Sequence, residues 1–176
     1  SKSLINFCLM KTFISFLLVY FLLFNSSMEE YVEVKCMVEI VNYTGQGAYI
    51  AISIIDKSEK YIKTVYVFGN DKSWFSEMKL FWRNLRENNL FLDKDFYPLV
   101  DAISGPTISA SERRMFQFKI PKNLFNSNYN LRIETAVEDK GYYVNDININ
   151  LNPENLKKIY QGEGFINEIQ FSALDK

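Results

Sequence analysis

From Tyr31 to Ile40 the chain alternates apolar and polar residues. Val32, Val34, Cys36, Val38 and Ile40 fall on one side, and Glu33, Lys35 and Glu39 on the other. Alternation of period two with β-branched residues predicts a strand with one wetted face. Cys36 then points inward, where a thiol packs as a small hydrophobe. Residues 48–56 and 61–68 are two further strand-like runs, and the Lys57-Ser58-Glu59-Lys60 link suits a hairpin. The period then changes. Across residues 73–88, Phe75, Met78, Trp82 and Leu85 recur at spacings of three and four, the stripe of an amphipathic helix. Ser73 is its expected N-cap, and Lys79, Arg83 and Arg86 occupy later turns, where cations suit the helix dipole. Trp74 and Trp82 are of a kind that stacks on a flavin ring, but aromatic residues at helical spacing are read as core.

Residues 87–110 show little periodicity, and a stretch of that length in a compact domain is functional or disordered more often than not. Strand patterns resume over residues 114–120, 129–137, 142–150 and 166–172, with Asp139-Lys140-Gly141 as a turn. Asn152-Pro153 opens a helical turn expected to run to Tyr160, with proline at its first position. Seven short strands and one inserted amphipathic helix predict a mainly β fold: an antiparallel, immunoglobulin-like β-sandwich forming one domain over residues 28–176.

A leader is expected before it. Met10-Lys11 precedes a 12-residue apolar run, Phe13 to Phe24, and then Asn25-Ser26-Ser27. The run falls short of the roughly 20 apolar residues of a bilayer span and matches the apolar region of a signal peptide. A buried N-terminal helix is the alternative. Residues 1–27 are therefore read as an upstream extension plus signal peptide starting at Met10, on a protein that is periplasmic or at the outer face of the cytoplasmic membrane.

Composition removes whole classes of chemistry. No histidine is present, which excludes His-dependent general bases, Ser-His triads, His-ligated haem and most zinc and copper sites. Cys8 lies before the apolar run, so a processed chain keeps only Cys36, and no metal site is expected. Twenty Lys and Arg stand against 21 Asp and Glu, without the basic footprint that nucleic acid requires.

The chemistry-bearing segment is Asp101-Ala102-Ile103-Ser104-Gly105-Pro106-Thr107. It is similar to Asp-x-x-Ser-Gly-Ala-Thr, the acceptor sequence to which bacterial flavin transferases attach FMN through a phosphoester on the threonine. On that reading Thr107 is the acceptor hydroxyl on an exposed loop, Asp101 and Ser104 are recognition residues, and Gly105 permits the turn and close approach of the phosphate. Pro106 departs from the pattern, because proline removes a backbone N–H and restricts the residue before it. The same residues also read as a Gly-Pro turn leading into a strand.

The order of several blocks resembles a known family over roughly residues 31–172. Ala51-Ile52-Ser53-Ile54-Ile55-Asp56 is followed by Lys63-Thr64-Val65-Tyr66-Val67-Phe68-Gly69, then Leu80-Phe81-Trp82-Arg83. The 101–107 segment comes next, then Tyr129-Asn130-Leu131-Arg132-Ile133-Glu134 and a Gly-Glu-Gly stretch at 162–164. The chain resembles the domain-of-unknown-function 2271 family of predicted periplasmic proteins, whose members usually keep alanine at the position of Pro106. The resemblance implies an exported β-rich domain accompanying a flavin transferase and a PepSY-type membrane redox protein.

Two functional classes follow. One is an extracytoplasmic electron carrier with covalent FMN on Thr107, in which the flavin performs the redox chemistry. The other is a non-redox binding or structural sandwich that partners a membrane protein through aromatic residues of the 73–98 region. Catalysis of its own is the weaker expectation: carboxylate pairs such as Asp93 with Asp95 suit acid–base hydrolysis, but charged residues in a polar loop are mostly solvated.

Overall fold

In the computed structural model the described residues are 30–69, 77–88, 104–126 and 128–174. The leader, Ser73, Trp74, Asp93, Asp95 and Asp101 lie outside them. Among the described residues nine strands form: β1 (Tyr31–Ile40), β2 (Tyr49–Asp56), β3 (Tyr61–Phe68), β4 (Ser104–Gly105), β5 (Arg113–Pro121), β6 (Tyr129–Val137), β7 (Gly141–Asn150), β8 (Ile159–Tyr160) and β9 (Ile166–Leu174). One sheet has the order β5-β1-β9-β8 and the other β4-β3-β2-β6-β7. All pairings are antiparallel except β3 with β4.

The alternation along β1 determines its packing. Val34, Cys36, Val38 and Ile40 are buried, and Cys36 lies opposite Phe116 in β5 and Phe171 in β9. Burial pushes the Cys36 thiol well above its ordinary pKa, so it stays protonated and inert. On the wetted face Glu39 pairs with Arg113 across the strands. Ile50, Ile52 and Ile54 of β2, with Leu131 and Ile133 of β6, meet the β1 side chains in one apolar core between the sheets. Each such side chain contributes about 1.5–3 kcal/mol when fully buried.

The sheet containing β2 and β6 is covered on its other side as well. Tyr49, Ala51, Val67 and Ala136 form a second cluster with Met78, Phe81 and Leu85, the last two on helix α1 (Lys79–Glu87). Trp82 packs against this cluster, as its core reading expected. Burial on both faces explains why β2 reads as a nearly continuous apolar run.

The sandwich and its inserted helix match expectation. Counting only the seven long strands, the first, fourth and seventh share one sheet and the remaining four share the other. That order leaves the immunoglobulin likeness at the level of architecture. Two local expectations differ. The helix begins at Lys79 with Met78 as N-cap and no side-chain cap of its own, while Ser73 lies outside the described residues. The turn after Pro153 is a 3-10 helix ending at Lys157, because Ile159 and Tyr160 pair with β9 as β8.

Candidate functional site

The 104–108 segment is held at one edge of the five-stranded sheet. Ser104 and Gly105 run parallel to Val67 and Phe68. The Gly69 N–H donates to the Gly105 carbonyl at 2.7 Å. Three residues on, Ile108 is fully buried and exchanges hydrogen bonds of 2.7 and 3.2 Å with Ala48. Thr107 is thus pinned on both sides and half-buried, not carried on a free loop tip, while Pro106 is exposed. A proline is tolerated here because β4 is an edge strand and needs no further N–H for the sheet. Gly105 is extended in β4 and not left-handed, so its backbone serves close packing rather than the expected turn. A Cβ there would lie 3.3 Å from the Tyr66 hydroxyl and 3.4 Å from the Phe68 ring.

Two glycines let the backbone pack closely against Thr107. A Cβ on Gly47 would stand 2.6 Å from Thr107 Oγ1 and 2.8 Å from its Cβ. A Cβ on Gly69, whose φ is +96°, would stand 3.2 Å from Thr107 Cγ2 and 2.1 Å from the Tyr49 ring. Arg114 then fixes the main chain, with Nη1 donating to the Pro106 and Thr107 carbonyls at 3.2 and 3.3 Å. It is itself paired with Glu112, which accepts the Ser109 N–H at 2.8 Å. That N–H, and then Arg114, hold the Glu112 carboxyl below its ordinary pKa despite partial desolvation. The result is an Arg114–Glu112 ion pair whose guanidinium side meets the Thr107 carbonyl. Tyr66, Phe68 and Phe116 form an aromatic group next to Gly105, with ring centroids 4.8–4.9 Å apart.

Of the expected site residues, the structure brings Ser104, Gly105 and Thr107 onto this edge through their backbone, and Asp101 lies outside the described residues. Sequence reasoning did not assign Gly47, Gly69, Arg114 or Tyr66 to the site. The available signal was the Thr44-Gly45-Gln46-Gly47 run, whose second glycine faces Thr107 across the fold.

A separate polar cluster lies beneath α1. Arg132 and Glu134, two positions apart on β6, project from the same face, and both are almost fully buried. Arg132 Nη2 is 3.1 Å from Glu134 Oε1, close enough for an ion pair. The pair is not aligned for hydrogen bonding: Arg132 Nε and Nη2, Glu134 Oε1 and the neighbouring Ser53 Oγ all lack a hydrogen-bond partner. The Tyr142 hydroxyl donates to Glu134 Oε2 and accepts from the Leu80 and Phe81 N–H groups at 3.2 and 3.4 Å. A tyrosine from β7 thereby supplies the N-terminal cap that Met78 does not. Burial raises the Glu134 pKa, opposed by Arg132, and burial with the Glu134 charge raises that of Tyr142.

A third cluster is structural. Asp146, 2 % exposed, accepts hydrogen bonds from Thr135 Oγ1 at 2.5 Å and from the N–H groups of Gly164, Phe165 and Ile166 at 2.8–3.0 Å. The Gly-Glu-Gly stretch folds around it: a Cβ on Gly162 would lie 2.1 Å from Asp146 Oδ1, and one on Gly164 2.4 Å from the Tyr143 ring.

Fold and edge together define a β-sandwich with one covered sheet and a glycine-lined threonine at that sheet's margin. A family model described as a predicted periplasmic protein, domain of unknown function 2271, matches residues 31–168, and the chain belongs to that family. No curated protein and no solved structure matches it. The family description supports an exported location.

Proposed function

We propose that this chain is an electron carrier of an extracytoplasmic redox system, with FMN attached through a phosphoester to Thr107. A flavin transferase loads it, and a PepSY-type membrane protein exchanges electrons with it at the outer face of the cytoplasmic membrane or in the periplasm. The observation that carries the reading is the Thr107 hydroxyl, flanked by Gly47 and Gly69, at the end of an acceptor-like sequence.

The neighbouring residues fit such a group. Gly47 lies against the Thr107 hydroxyl and Gly69 against its methyl, so the backbone approaches the acceptor residue closely where no other side chain would fit. Arg114, paired with Glu112 and bonded to the Thr107 carbonyl, offers guanidinium donors near an ester phosphate. Tyr66 and Phe116 offer apolar, π-rich surface next to the segment. Bound there, the flavin supplies the redox chemistry, and the protein contributes position and electrostatics. Asp101 and Ser104 are assigned to recognition by the transferase.

The test is intact-mass measurement after co-expression with a flavin transferase. One FMN added to wild type, none to Thr107→Ala and a strongly reduced fraction in Gly47→Ala are expected. A protein that gains no flavin mass, or keeps it in Thr107→Ala, refutes the proposal.

A further inference from the structure

Every buried side-chain polar atom without a hydrogen bond among the described residues belongs to Ser53, Arg132 or Glu134. Ser53 is the direct cross-strand neighbour of Arg132, so these atoms form one patch on the helix-covered face of the sheet. Native proteins pair nearly all buried polar groups, and a concentrated failure points to something that completes them. A cavity of about 440 Å³ adjoins the patch, between α1 and the β2–β3 turn. That volume lies in the range of small-molecule sites. Arg132 lines it, together with Lys60 and Arg83, Glu59 and Glu87, and the buried Asn84.

We propose that this cavity binds a small oxyanion, a carboxylate or phosphate group, with Arg132 as its principal partner. Three facts carry this. Arg132 is 1 % exposed yet has two N–H-bearing nitrogens without a hydrogen bond, and a guanidinium can only donate. Among the described residues its charge partner is Glu134, whose Oε1 stands 3.1 Å from Nη2 without a hydrogen bond and whose other oxygen is committed to Tyr142. The cavity lining carries three cations against two carboxylates, and the exposed Lys60 and Arg83 stand at its rim. An oxyanion meets the planar donor fork of arginine in a geometry that a water molecule does not reproduce. Asn84 supplies a neutral amide to the same ligand. This site is distinct from the Thr107 edge and does not depend on flavin attachment.

The experiment is calorimetric titration of the purified protein, in a chloride-only buffer, with inorganic phosphate and separately with succinate. Saturable binding of at least one is expected, weakened about three- to tenfold in Lys60→Ala and in Arg83→Ala and abolished in Arg132→Met. Phosphate binding alone identifies a phosphate source, and succinate binding alone a carboxylate source. Absence of saturable binding by both, or affinity unchanged in both rim variants, overturns the proposal. The rim variants alter exposed side chains, so the result stands even if Arg132→Met does not fold.

Discussion

Removing one oxygen atom, in Tyr142→Phe, probes how α1 is attached to the sheet. The ring stays, so packing against the helix cluster is retained. The Leu80 and Phe81 N–H groups lose the phenol oxygen and Glu134 loses a donor. Loss of an N-terminal cap costs about 1 kcal/mol, and loss of a hydrogen bond to a charged or buried carboxyl about 1.5–3 kcal/mol. The sum is about 3 kcal/mol, because Leu80, Phe81 and Glu134 are too enclosed for water to replace the phenol fully. A domain of this size unfolds with an entropy near 0.3 kcal/mol/K, so the loss corresponds to a fall in Tm of about 10 °C. Urea unfolding followed by tryptophan fluorescence reads it directly, with an unchanged m-value showing that the denatured state is unaffected. A loss below about 1 kcal/mol would show that the phenol neither caps the helix nor supports Glu134.

Asp146→Ala strands three backbone N–H groups and a threonine hydroxyl in the interior, so a loss of about 3–5 kcal/mol is expected in the same urea assay; near-neutral behaviour would deny the anchoring role of that carboxylate. Glu134 gives a pH signature. Its folded pKa is raised above the ordinary 4.5, so its contribution is complete below that value and is lost as pH rises through the folded value. The wild-type urea midpoint should therefore fall relative to Glu134→Gln as pH climbs above 4.5, and parallel pH profiles would contradict the burial argument.

The strands could be read from the sequence wherever one face is wet or the apolar run is unbroken. β1 shows its orientation residue by residue, and β2 announces double burial by its lack of polar interruptions. The start of the helix was not legible, because its cap comes from Tyr142, 62 residues from Leu80. The same distance problem governs the sites. The acceptor-like segment is a local pattern and could be found, but the close approach of Gly47 and Gly69 to Thr107 arises only in the folded sheet. Arg132 and Glu134 look in sequence like residues of an ordinary polar strand face. Their importance arises from α1 covering that face.

The position of β1 at the centre of its sheet has a kinetic consequence. Its hydrogen-bond partners are β5 and β9, so Val34 must meet Ala173, about 140 positions later in the chain. Closing so large a loop is entropically slow, and topologies dominated by such contacts fold late. The four-stranded sheet therefore cannot be completed until nearly the whole domain has emerged. In a family described as periplasmic, that ordering postpones the compact state while the chain is still being delivered.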